Sequence, residues 1–61
     1  MKLKEFTTDD YSTVLIDTDS ISSIYETSIN GRCRAVVIMQ QGESYTLNMS
    51  ISELKRELNM Y

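Results

Sequence analysis

The dipeptide Asn30-Gly31 constrains this chain more than any other feature. Both residues tolerate the positive φ that a type I′ turn demands, so they mark a two-residue β-hairpin. The outgoing arm is Ile21-Ser22-Ser23-Ile24-Tyr25-Glu26-Thr27 and the return arm runs from Arg32 to Met39. Ile21, Ile24 and Tyr25 also lie at helical spacing. Serine, threonine, isoleucine and tyrosine are poor to middling helix formers, however, and the segment is too short for a stable helix. A strand is expected there.

Gln40-Gln41-Gly42-Glu43 leads into a second hairpin arm, Ser44-Tyr45-Thr46-Leu47-Asn48. With two-residue turns at both Asn30-Gly31 and Gln41-Gly42, Tyr25 lies opposite Val36, Val36 opposite Leu47, and Ile38 opposite Tyr45. One face then carries Ile21, Tyr25, Val36, Ile38, Tyr45, Leu47 and Met49, and is the expected core. The other carries Ile24, Ala35, Val37 and Met39 beside Ser44, Thr46 and Asn48.

The segment Ser50 to Tyr61 reads as a helix. Ser50 with Glu53 three residues on forms a capping box, and Met49 before the cap can staple onto Leu54. Ile51, Leu54, Leu58 and Tyr61 recur on one stripe, with charged residues around the rest. Placed over the expected core face, this helix cannot cover the apolar strip Ile24, Ala35, Val37 and Met39. Leu15 or the N-terminal strand can cover some of it by curling the sheet. A second subunit is the expected cover, since an exposed apolar patch of this kind marks an interaction site.

Towards the N-terminus, Lys2 to Phe6 is a short candidate strand. Thr7-Thr8-Asp9-Asp10-Tyr11-Ser12 is turn-forming through its hydroxyl and carboxylate side chains. Thr13-Val14-Leu15-Ile16-Asp17 is a second strand, broken by Thr18-Asp19-Ser20. The expectation is one small α+β domain over residues 1–61: a four- to five-stranded antiparallel β-meander with one C-terminal α-helix packed on one face.

A chain of 61 residues buries about 60% of the surface its unfolded form exposes, so its stability margin is thin. A single cysteine and no histidine exclude an internal disulfide and a zinc site, leaving self-association as the extra source of stability. A homo-oligomer is therefore expected. The net charge of −3 argues against a general electrostatic grip on nucleic acid. No apolar run approaches a membrane span, and the charged start Met1-Lys2-Leu3-Lys4-Glu5 lacks the apolar stretch of a signal peptide. A cytoplasmic protein with Cys33 as a free thiol on a strand is expected.

The same inventory bears on chemistry. Without histidine there is no base poised near neutral pH, no partner for Cys33 or a serine, and no glycine-rich phosphate loop is present. Asp9 and Asp10, like Asp17 and Asp19, sit in turns where aspartate is favoured for backbone reasons, and neither pair has calcium-loop spacing. Neither an enzyme nor a cofactor or metal is expected. Arg32 and Arg34 are the candidate ligand-binding residues, because alternation puts both on one side of the strand and Cys33 on the other. Two guanidinium groups there can converge on a phosphate or carboxylate. The same pair can instead oppose Glu26 and Thr27 across the hairpin, or serve as charges that protect a sheet from aggregation.

Ile21-Ser22-Ser23-Ile24 leading to an acidic residue, then Val36-Val37-Ile38, Gln41-Gly42-Glu43, Tyr45 and Leu47, and finally Ser50-Ile51-Ser52-Glu53-Leu54-Lys55, resembles small bacterial proteins of the FlbD-like flagellar type and related short proteins. The resemblance covers roughly the last two thirds of the chain. It implies a compact sheet with a C-terminal helix and a role in regulation or assembly, and it brings no catalytic residues. The combined expectation is a small regulatory or adaptor protein that binds another protein and acts as a homo-oligomer. The alternative is a binder or sponge of a small phosphorylated ligand such as a nucleotide, or of nucleic acid, through the arginine pair, encoded by a phage or mobile element.

Overall fold

The computed structural model describes residues 1–59, so the expected helical positions Met60 and Tyr61 lie outside the described residues. The described residues form five antiparallel strands and one helix, an α+β arrangement: β1 (Leu3–Thr7), β2 (Thr13–Asp17), a 3-10 turn (Thr18–Ser20), β3 (Ile21–Ile29), β4 (Arg32–Met39), β5 (Ser44–Thr46) and α1 (Ile51–Glu57). The strands do not make one meander. They divide into a β1-β2 hairpin and a β3-β4-β5 sheet. A single bridge between Thr8 and Leu47 stitches the two together, reinforced by Asn48 N–H to the Thr7 carbonyl and Asp9 N–H to the Thr46 carbonyl, both at 2.9 Å.

The first hairpin of the larger sheet closes as the dipeptide demands. Asn30 and Gly31 take φ of 51° and 78°, Ile29 faces Arg32, and Tyr25 faces Val36. Towards the strand's start the ladder slips by one residue between Ile21 and Ser23, so that Ile21 pairs with Met39. Such a bulge turns the side chains beyond it to the other face of the sheet. Ile21 thereby joins the Met39 side instead of the Tyr25 side.

The second hairpin departs from expectation. Its loop has three residues, Gln40, Gln41 and Gly42: the Met39 N–H donates to the Glu43 carbonyl at 2.7 Å and the Gly42 N–H to the Met39 carbonyl at 2.9 Å. Gly42 has φ of 100°, the left-handed position that ends a three-residue hairpin loop. The extra residue sets Val37 opposite Tyr45, Val36 opposite Thr46 and Ile38 opposite Ser44, while the Leu47 N–H reaches the Ala35 carbonyl at 2.8 Å. A one-residue slip sends every side chain of a strand to the opposite face.

The slip and the bulge thus carry Tyr45, Leu47 and Ile21, expected in the core, from the Tyr25 side to the Ala35, Val37 and Met39 side, and that side becomes the interior. Ala35, Val37, Met39 and Leu47 are buried together with Leu54 of α1 and with Phe6 and Ile16 of the N-terminal hairpin, and Ile24 packs half-buried against them. The strip Ile24, Ala35, Val37 and Met39, expected to be an exposed interface, is the chain's own core, with Ala35 and Val37 at 0% exposure. On the opposite face Tyr25 is exposed, although its neighbour Val36 is buried. The N-terminal hairpin obeys simple alternation: Phe6 and Ile16 point inward, Leu3 and Leu15 outward.

The helix starts as the capping box requires. Ser50 Oγ accepts from the Glu53 N–H at 3.3 Å, and Glu53 Oε1 accepts from the Ser50 N–H at 3.4 Å. It ends sooner than the apolar stripe suggests. Asn59 adopts a left-handed φ of 58°, and its N–H turns back to the Arg56 carbonyl at 3.1 Å, a helix stop that asparagine tolerates better than most residues.

Candidate functional site

Two surfaces bring functional chemistry together. The first surrounds the arginine pair. Arg32 and Arg34 begin β4 immediately after the Asn30-Gly31 turn, opposite Ile29 and Thr27, and both line a shallow concavity of about 320 Å3 shared with Asp9, Tyr11, Asn30 and Asn48. Their environments differ. The Arg34 Nε lies 3.3 Å from Asp9 Oδ1, with only 17% of the arginine side chain exposed, and its Nη1 donates to the Cys33 carbonyl at 3.1 Å. The charge of Arg34 is thus offset by a carboxylate that the β1-β2 turn delivers. Arg32 is exposed and has no ion pair among the described residues.

Asp9, Tyr11 and Asn48 are members of this surface that sequence reasoning did not place. The turn that carries the first two copies the geometry of the Gly42 loop. The Thr8 N–H donates to the Ser12 carbonyl at 2.8 Å and the Tyr11 N–H to the Thr8 carbonyl at 3.0 Å, so Asp9, Asp10 and Tyr11 form a three-residue loop. Tyr11 occupies the left-handed position with φ of 65°, where glycine is usual and a tyrosine costs about 1–3 kcal/mol. Its side chain is 74% exposed. The Thr8 hydroxyl donates to Asp10, and this bond, followed by the Ser12 hydroxyl and N–H, holds the Asp10 carboxyl below its ordinary pKa.

The other aspartates serve the backbone. Asp17 caps the 3-10 turn: its carboxylate accepts from the Ser20 hydroxyl at 2.9 Å, the Asp19 N–H at 3.1 Å and the Lys2 N–H at 3.2 Å. The Ser20 hydroxyl is the main cause that lowers its pKa from 3.8, followed by the Lys2 amide. Because the folded value is the lower one, Asp17 contributes stability above the unfolded value and loses it as pH falls through the folded value. An Asp17→Asn variant is expected to lose less melting temperature than the parent between about pH 5 and about pH 2. Identical acid limbs in thermal scans would count against this cap. Among the described residues no three carboxylate or thiol groups cluster as metal ligands, and Cys33 is a free, exposed thiol.

The second surface is the outer edge of β3. In a hairpin closed by Ile29 and Arg32, the backbone groups of Ile29, Thr27, Tyr25 and Ser23 turn towards β4, and those of Ser28, Glu26 and Ile24 turn away, until the bulged Ser22 ends the alternation. The outward groups have no backbone partner among the described residues. A groove of about 660 Å3 runs along the first half of this edge, between Lys2 to Lys4 and the end of α1. The Glu26 carboxylate is drawn over the core face, where it accepts the Ile51 N–H at 3.2 Å. Leu3 and Leu15 add a smaller exposed apolar pair on the outside of the N-terminal hairpin. No helix among the described residues is long and apolar enough to cross a membrane. No family model matches this chain, and no match was found among curated proteins or solved structures.

Proposed function

We propose that this protein is a non-enzymatic interaction module, a small regulator or adaptor that binds protein and acts as a homo-oligomer. The observation that carries the reading is the edge of β3, nine residues long and unpaired on one side among the described residues. Free strand edges are templates for another chain, and folded proteins normally blunt them with lysine, proline or short length. β3 carries neither lysine nor proline, and Glu26 is its one charged residue. Its bulge lies at one end only. The shifted carboxyls, Asp10 and Asp17, are engaged by local hydroxyl and amide donors and are held ionised, not raised towards the neutral range that general acid catalysis requires. Light scattering across a range of concentrations tests the reading. A mass that grows to a defined multiple of one chain is expected, and a monomer at every concentration overturns it.

A second reading rests on Tyr11. An exposed aromatic held at a strained backbone position, lining the same concavity as Arg32 and Arg34, matches a site that stacks a base and pairs a phosphate. It predicts that nucleoside phosphates raise the melting temperature and that Arg32→Ala abolishes the rise while the fold is retained. No shift with the parent protein removes this reading.

A further inference from the structure

We infer that the partner of the β3 edge is a second copy of the same strand, paired antiparallel about a two-fold axis that passes through Tyr25. The inference rests on the oligomeric reading above and gives it a register. Antiparallel pairing of two identical strands requires the same residues to satisfy one another reciprocally. In the regular part of β3 the outward-facing backbone groups belong to Ile24, Glu26 and Ser28, and Ile24 and Glu26 flank Tyr25 evenly.

Centring the pair on Tyr25 sets Ser22 against Ser28 of the second copy and Ile24 against Glu26 of the second copy. The outward N–H and carbonyl groups of Ile24 and Glu26 then find reciprocal partners, and Ser28 meets the bulged end of the second strand. The neighbouring registers are poorer. Shifting the axis to Glu26 places the one charged side chain of β3 directly opposite its own copy, and like charges facing across a ladder are destabilising. Shifting it to Ile24 leaves Ser28 of both copies unpaired. In the favoured register the two Tyr25 rings, each 48% exposed in the single chain, become direct cross-strand neighbours on the outer face.

The occupant is a second copy and not a basic peptide on grounds of composition. The edge presents serine, threonine, isoleucine and tyrosine around a single carboxylate that already accepts the Ile51 N–H, so a cationic partner has little to pair with. Two copies each bearing a formal charge of −3 repel at long range, and salt screens that repulsion. Dimerisation is therefore expected to strengthen with ionic strength. Capture of a basic chain would weaken.

Disulfide trapping tests the register. Facing residues that do not exchange backbone hydrogen bonds have Cα atoms about 4.5 Å apart, within reach of a disulfide. In a Cys33→Ser background, Tyr25→Cys is expected to yield a covalent dimer under mild oxidation, and Thr27→Cys alone is expected to yield none. An equal mixture of Ser23→Cys and Thr27→Cys chains is expected to cross-link with each other, which keeps the test valid where Tyr25→Cys perturbs folding. Ser28→Pro removes an outward N–H without touching the core and is expected to shift the chain towards monomer with its circular dichroism unchanged. An oligomer by light scattering that gives neither the Tyr25 nor the mixed link overturns this register and leaves the oligomeric reading standing. A monomer overturns both.

Discussion

Val37→Asp is expected to abolish the cooperative fold at neutral pH. Val37 is fully buried in β4, between Ile24 on β3 and Tyr45 on β5, in the core that includes Leu54 of the helix. A carboxylate placed there loses its hydration and gains no partner, a penalty of several kcal/mol even after relaxation. A domain of this length has only roughly 3–9 kcal/mol of total stability, on the usual scale of 0.05–0.15 kcal/mol per residue. Circular dichroism and urea titration separate this outcome from its rival. Were Val37 part of an exposed interface, the variant would remain a folded monomer with an unchanged urea midpoint, and that result would contradict the burial of the strip.

Phe6→Ala is expected to cost about 3–5 kcal/mol, the range for removing a buried aromatic side chain from a core. The size of this effect reports how far the N-terminal hairpin belongs to the folding unit. Phe6 is 3% exposed and packs in the same cluster as Leu47 and Leu54, yet its strand is joined to the larger sheet by one bridge and a few backbone bonds. Leu15→Ala on the same hairpin supplies the internal control, because Leu15 is 60% exposed and substitutions at such positions usually stay within about 0.5 kcal/mol. Equal losses from the two variants, measured as urea midpoints at a shared slope, would show that the hairpin does not supply its inner face to the core.

Much of the local structure is legible before any coordinates. The Asn30-Gly31 hairpin and its pairing of Tyr25 with Val36 follow from two residues able to adopt positive φ. The Ser50-Glu53 box announces where α1 begins. Both strands of the N-terminal hairpin, and the turn and break beside them, also fall where the residue types suggest. Gln41-Gly42 was open to two solutions. A glycine after a glutamine fits either a two-residue loop or the last position of a three-residue one, and the choice depends on which flanking face finds cover. The bulge beside Ser22 left no signal beyond a pair of serines.

The candidate arginine surface was half legible. Alternation puts Arg32 and Arg34 on one side of β4, and both do line one concavity. Nothing in their neighbourhood announces Asp9, which is 25 residues away from Arg34 and arrives through the turn between β1 and β2. Its arrival pairs Arg34 with a carboxylate and leaves Arg32 without an ion pair among the described residues.

The order of strands and helix, the tight first reversal and the capped start of the helix are properties of short segments, written in backbone preferences that each segment carries wherever it lies. Which side of the sheet became the interior was a tertiary decision. Side chains on a strand alternate with a period of two, so one added loop residue at Gly42 and one bulged residue near Ser22 were enough to bring Leu47, Tyr45 and Ile21 to the Ala35 and Val37 side and make it the interior. The helix and the N-terminal hairpin closed over Ala35, Val37 and Met39 because that register put them beside Leu47, Phe6 and Ile16 in one continuous apolar layer.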